Sequence, residues 1–175
     1  MEDFTNETID TASLPRFEDV ELTPLQPSYI NVIRLNIGIT FGIIAMVCGA
    51  GFYFIEELQP YWLYVAIAYT AILLLTIVIA TVRFRNSGFA FRKHDVIYRS
   101  GAIALTTTII PYNRVQHVAI EEGWLSRRLG LAEVDIFTAG GQKSDIQIPG
   151  IDKDQAERIK QLLMGKILKE EADEQ

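Results

Sequence analysis

Two long stretches without a charged residue constrain this chain more than any other feature. Leu35 to Ile55, LNIGITFGIIAMVCGAGFYFI, runs 21 residues without Asp, Glu, Lys or Arg, and Tyr61 to Val82, YWLYVAIAYTAILLLTIVIATV, runs 22. A helix of about 20 residues is ~30 Å long, the thickness of a hydrocarbon core. Only EELQP separates the two runs, so the sequence predicts a two-helix transmembrane hairpin within residues 28–83, with spans at about 35–55 and 61–82. A cleavable signal peptide is not expected, because the first run starts after 34 residues, lacks a basic leader and is too long for a signal core.

Arg34 precedes the first run and Arg83 and Arg85 follow the second, while the connection holds Glu56 and Glu57 but no basic residue. The positive-inside bias then predicts both termini in the cytoplasm, with Arg34, Arg83 and Arg85 at one membrane interface and Tyr61 and Trp62 in the aromatic belt of the other. Gly38, Gly42, Ala45 and Gly49 recur at helical spacing, which lets a neighbouring helix approach closely. Packing against the chain's own second span, through Ala66 and Thr70, is the plainer expectation; a homo-oligomer or another membrane partner is the alternative.

Charge divides the chain unevenly. Residues 1–33 carry seven acids against Arg16, whereas residues 83–169 hold fourteen Lys or Arg against nine Asp or Glu. The first 27 residues therefore read as an acidic, largely disordered cytoplasmic arm, in which LPRFEDVELTPL could instead dock on a partner. TPLQPS breaks the chain, and Ser28 is a candidate cap for the first helix. Cys48 is the single cysteine, so neither a disulfide framework nor a multi-cysteine metal site can form within the chain.

Beyond Arg83 the pattern shortens. GFAFRKHDVIYRSG predicts two strands around a turn at 93–95, and IALTTTIIPY predicts a strand stopped by Pro111. RVQHVAIEE alternates imperfectly and predicts a bulged strand. WLSRRLGL is long enough for one helical turn, ended by Gly130, and AEVDIFTAGGQKSDIQIPG predicts a hairpin turning at AGGQK. From Asp152 to about residue 169, Ala156, Ile159, Leu163 and Ile167 form an apolar helical stripe that Leu162 widens, with Asp152 as N-cap. Residues 170–175 read as an acidic tail.

The order YRSG (98–101), IPYNRVQHV (110–118), RRLGLAEV (127–134), TAGG (138–141) and IPGI (148–151), behind a two-span hairpin, resembles the bacterial pleckstrin-homology-like domain of the YdbS-type membrane proteins. The resemblance covers roughly residues 84–168 and implies an α+β membrane protein with a cytoplasmic domain at 84–169. Its domain would be a PH-like antiparallel β-barrel or bent sheet of about seven strands, capped by a C-terminal helix. It further implies the bacterial inner membrane, a larger membrane protein with several PH-like domains as partner, and no reaction, since the fold is a scaffold. Phosphoinositide chemistry would need a basic loop between the first two strands; here the turn is RKHD, where Asp95 opposes Arg92 and Lys93.

Nothing in the sequence supports catalysis. His94 and His117 are the only histidines, they lack metal-ligand spacing, no G-x-S-x-G occurs, and TAGGQKS lacks phosphate-loop spacing. No metal, cofactor or nucleic-acid partner is expected. Arg114, Gln116 and His117 are expected to brace the sheet internally, against the RRLGL turn or Glu121 and Glu122; a protein-binding patch is the alternative. Arg92, Lys93, Arg127 and Arg128 are candidates for anionic-lipid contact, each worth about 1 kcal/mol if it faces the bilayer, or else solvated charges. Trp124 and Leu125 are expected to cap an end of the sheet, with an exposed membrane or partner wedge as alternative. The leading functional expectation is a membrane-tethered binding and assembly module. Its rival is an accessory or regulatory subunit of a transport or secretion system, recognised through its membrane helices.

Overall fold

The computed structural model describes residues 20–139 and 144–173. The expected acidic arm up to residue 19, the expected turn at 140–143 and the last two residues lie outside the described part. Helix α1 (Tyr29–Phe54) and helix α2 (Trp62–Asn86) are joined by a 3-10 turn at Glu56–Tyr61 and are each long and apolar enough to cross a membrane. They pack through Phe41 and Tyr69, whose rings meet edge-on at 5.6 Å while the Tyr69 hydroxyl donates to the Phe41 carbonyl at 2.9 Å. The small-residue stripe only partly faces α2. Ala45 and Gly49 line a groove with Ala66, and a Cβ on Gly38, Gly42 or Gly49 would meet nothing within 4 Å. Thr70 turns its hydroxyl back to its own helix, at the Ala66 carbonyl. The expected approach of the stripe to α2 is seen at Ala45 and Gly49, beside Ala66 and Tyr69. Ser28 is not a side-chain cap: its backbone is already helical and its hydroxyl caps nothing.

Seven strands form two antiparallel sheets rather than one closed barrel. The first is ordered β1 (Thr23–Pro24), β2 (Gly88–Phe91), β3 (Asp95–Ser100), β4 (Thr106–Pro111); the second β5 (Val115–Glu121), β6 (Leu131–Thr138), β7 (Ile146–Asp152). Strand β1 comes from the segment read as a chain break. Pro24 tolerates strand pairing because β1 is an edge. A short helix α3 (Trp124–Arg128) links β5 to β6, and helix α4 (Lys153–Asp173) closes the domain, continuing into the stretch expected as a tail. Asp152 caps α4 by accepting from the backbone N–H groups of Asp154 and Gln155 at 3.1 and 3.4 Å. Ala156, Ile159 and Leu163 enter a core with Val96, Ile110, Tyr112, Val134, Ile136 and Ile148, whereas Leu162 stays exposed.

Register fixes which end of the domain meets the membrane. Strand β2 begins two residues beyond α2 and runs ~13 Å away from it. Gly88 pairs with Arg99 and Ser100 with Thr106, so the β3–β4 loop returns to the end of α2, where the Asn86 side chain donates to the Gly101 carbonyl at 3.2 Å. On the other side α3 lies against α1, and Gln26 N–H donates to the Gly150 carbonyl at 2.9 Å. The β2–β3 turn is therefore at the far end. It is pinned there by Tyr112, whose hydroxyl donates to the Arg92 carbonyl at 2.7 Å, and by the Lys166 ammonium on the Lys93 carbonyl at 3.1 Å.

Candidate functional site

The stretch around Arg114 lies on the outside of the second sheet. Arg114 ends a 3-10 turn; Val115 pairs with Thr138 and His117 with Phe137, which leaves Gln116 as an extra, bulged residue. All three side chains are exposed, and the His117 ring stacks on Phe137 at 4.2 Å, tilted by 15°. The expected internal bracing is not found among the described residues: Glu122 instead pairs with Lys153 at 2.7 Å, and Glu121 faces Glu133 across the sheet. A bulge turns one polar side chain outward without a strand partner, which is why Gln116 needs no buried hydrogen bond.

The membrane-side rim gathers residues far apart in sequence. Trp124 is 67% exposed and, with Leu125 of α3, shares a cavity with Val32 and Asn36 of α1, at the depth where the first uncharged run begins. It is thus not the buried cap expected; α3 is too short to cover the sheet and α1 holds it from below. Arg127 and Arg128 are exposed on the same helix. On the α2 side the β3–β4 loop presents Ile103, 93% exposed, and Leu105, close to Arg85 and Arg99. Gly101 carries φ +145 there and a Cβ would stand 1.9 Å from the Ala104 carbonyl oxygen, so only glycine lets this loop fold back tightly. Arg92 and Lys93, grouped with Arg127 and Arg128 by charge alone, sit at the opposite end of the domain, where Arg92 forms an ion pair with Asp95 through Nε at 2.6 Å and a second, shorter contact.

Between rim and spans lie two adjoining cavities. The lower, about 510 Å³, runs between Tyr29 and Ile33 of α1 and Ile79, Ala80, Arg83 and Phe84 of α2. The upper, about 340 Å³, opens between the edge strands β4 and β7 and is lined by Arg83, Tyr98, Ser100, Thr108, Glu133 and Gln147. Burial pushes the Tyr98 hydroxyl up, against the lowering influence of Ser100, Ser87 and Arg83. Burial also raises the Glu133 carboxyl above its ordinary range, reinforced by Asp135 and Glu121. Asp135, 3% exposed, is likewise raised by burial, with the neighbouring Gln147 amide lowering it and Glu121 raising it further; its Oδ1 has no partner among the described residues. Sequence reading passed over Glu133, Asp135 and Tyr98 as ordinary alternating strand positions. Ile103 and Leu105 read as part of a β-branched strand; only the pairing register, which depends on distant residues, turns them into a loop. No group of three or more metal-ligating side chains occurs among the described residues.

A family model described as Bacterial PH domain matches residues 32–167, the spans included. The chain is 31% identical over 104 residues to the UPF0699 transmembrane protein YdbS of Bacillus subtilis (strain 168), a match that covers 58% of this chain and 64% of that protein, just under two thirds of its length. No solved structure matches.

Proposed function

The chain belongs to the bacterial PH domain family, and on that premise we propose that it is a non-enzymatic inner-membrane protein, both termini cytoplasmic, that presents its PH-like domain as a tethered binding and assembly module. Two apolar helices and a transmembrane relative establish a two-span membrane protein. The observation that carries the binding role is the outward set of Arg114, bulged Gln116 and the His117–Phe137 stack, in which the Arg114, Gln116 and His117 side chains are all exposed on the outer face of the second sheet. Stacked aromatic rings beside an arginine are the residue types that dominate protein interfaces. The partner in this reading is a larger membrane protein with several PH-like domains. Tethering to one bilayer raises the effective concentration of both, so modest contacts suffice. Trp124, Arg127, Arg128 and the Ile103 loop rest on the lipid surface and set the domain's posture.

A second reading has the partner, a transport or secretion system, grip the helices. It draws on Gly38 and Gly42, which have open space in place of a neighbour. Cross-linked pull-down of the full chain from native membranes separates the two. With the outward patch as binder, Arg114→Glu combined with His117→Asp should cut partner recovery about tenfold, equivalent to ~1.4 kcal/mol, and Gly42→Ile should leave it unchanged. The opposite pattern would assign recognition to the helices.

A further inference from the structure

The two cavities at the junction share Tyr29, Arg83, Tyr98 and Pro149, so they adjoin across these four residues, one between the membrane-spanning helices and the other at the gap between the sheets. The lower walls, Ile33, Ile79 and Ala80, belong to the membrane-spanning helices and are apolar; the upper walls carry hydroxyls at Tyr98, Ser100, Thr106 and Thr108. The volumes fall in the range of about 300–1,000 Å³ usual for small-molecule sites. Arg83 stands where the two meet and Glu133 lines the upper part, and neither is ion-paired with any described residue. Asp145, the other carboxylate on this lining, accepts from the Thr138 backbone N–H at 3.0 Å and from its hydroxyl, and is thus committed to the β6–β7 hairpin.

A cation at headgroup depth, an anion one step further out and an apolar slot beneath match a zwitterionic lipid in order and polarity. We propose that the junction binds one aminophospholipid of the ethanolamine class from the leaflet on the domain's side, with an acyl chain between α1 and α2, its phosphate on Arg83 and its ammonium on Glu133. Arg83 supplies a charge-assisted donor to phosphate and the neighbouring hydroxyls complete its hydrogen bonds. Glu133, half-buried and crowded by Asp135 and Glu121, gains a counter-charge that no described residue provides, consistent with its raised carboxyl. The ligand class follows from this pairing: a purely anionic headgroup would satisfy Arg83 but bring a second negative charge toward Glu133.

The test uses the full chain reconstituted in nanodiscs of equal phosphatidylethanolamine and phosphatidylglycerol, released into detergent and weighed by native mass spectrometry. The expected result is a single retained phosphatidylethanolamine, favoured over phosphatidylglycerol about tenfold or more, the size of one charge-assisted bond. Glu133→Gln should erase that preference while keeping a lipid bound, and Arg83→Gln should weaken retention of both lipids. Ala80→Trp, which fills the slot, should abolish retention. Equal or reversed selectivity in the unmodified chain overturns the proposal, as does a folded protein that retains no phospholipid, or selectivity that survives Glu133→Gln. The selectivity of the unmodified chain depends on no variant's folding.

Discussion

At Gly150 the backbone has φ +64, and a Cβ there would stand 2.4 Å from the Tyr29 ring carbon Cγ. Its carbonyl also accepts from Gln26 N–H, so this one position joins β7 to the entrance of α1. Gly150→Ala should therefore cost roughly 1–3 kcal/mol through strain and displaced contact, seen as a lower melting temperature of the full chain in detergent. Gly38→Ala, where a Cβ meets nothing, serves as the control and should change the temperature little. Asp135 yields a second prediction. Its carboxyl is raised by burial, so between the ordinary value of about 3.9 and the higher native value the folded protein holds more protons than the unfolded one. Stability from this group then falls as pH rises through that interval and recovers as pH drops back. Asp135→Asn removes the buried charge, and should flatten that part of the pH–stability curve and raise the melting temperature at neutral pH; an unchanged curve would show that the carboxylate is not disfavoured.

Among the elements, α4 shows how far periodicity can be read. Spacing identified Ala156, Ile159 and Leu163, all buried, because a helix has one period and one core to face. It could not say where the stripe's margin falls: Leu162, taken as part of it, is 45% exposed, since the second sheet covers the helix only along a narrow line. Leu163→Ala should thus cost about 2–5 kcal/mol and Leu162→Ala less than about 1 kcal/mol, measured by chemical denaturation monitored in the domain. The β3–β4 loop was less legible for the reverse reason. Apolar Ile103 and Leu105 carry strand propensity, yet Ser100 already pairs with Thr106, and the residues between must turn. The bulge at Gln116 was visible as broken alternation, but which way His117 would face depended on Phe137, twenty residues on. Helix α3 lies against α1 and the Ile103 loop returns to the end of α2, and the proposed posture puts their exposed apolar residues, Trp124 and Ile103, on the lipid surface. In a Trp62→Phe background, Trp124 emission should be quenched by lipids brominated near the headgroup and lie to the blue of solvent-exposed tryptophan. Emission insensitive to brominated lipid would place α3 in water.

On the scale of the molecule, the hairpin and the domain are tied at both ends. The segment before α1 supplies β1 to the first sheet and its Gln26 bonds to β7, while α2 leads directly into β2. Antiparallel spans alone would allow the flanks to differ in environment only by an odd number of crossings; the shared sheet requires the flank from residue 20 and the domain to lie on the same side. Pairing of β1 with β2 consequently requires both spans to be in place, because the two strands are separated by the whole hairpin. Which side they occupy rests on Arg34, Arg83 and Arg85 against a connection bearing Glu56 and Glu57. A C-terminal reporter active only in the cytoplasm should be active, and one active only in the periplasm silent. Arg34, Arg83 and Arg85 all changed to Ala, with Glu56 and Glu57 changed to Lys, should shift a measurable fraction of chains to the inverted state. Inverted chains would carry the domain intact, since the pairing of β1 with β2 is indifferent to the side on which it forms, so protease protection of a folded domain in sealed vesicles reads orientation separately from stability.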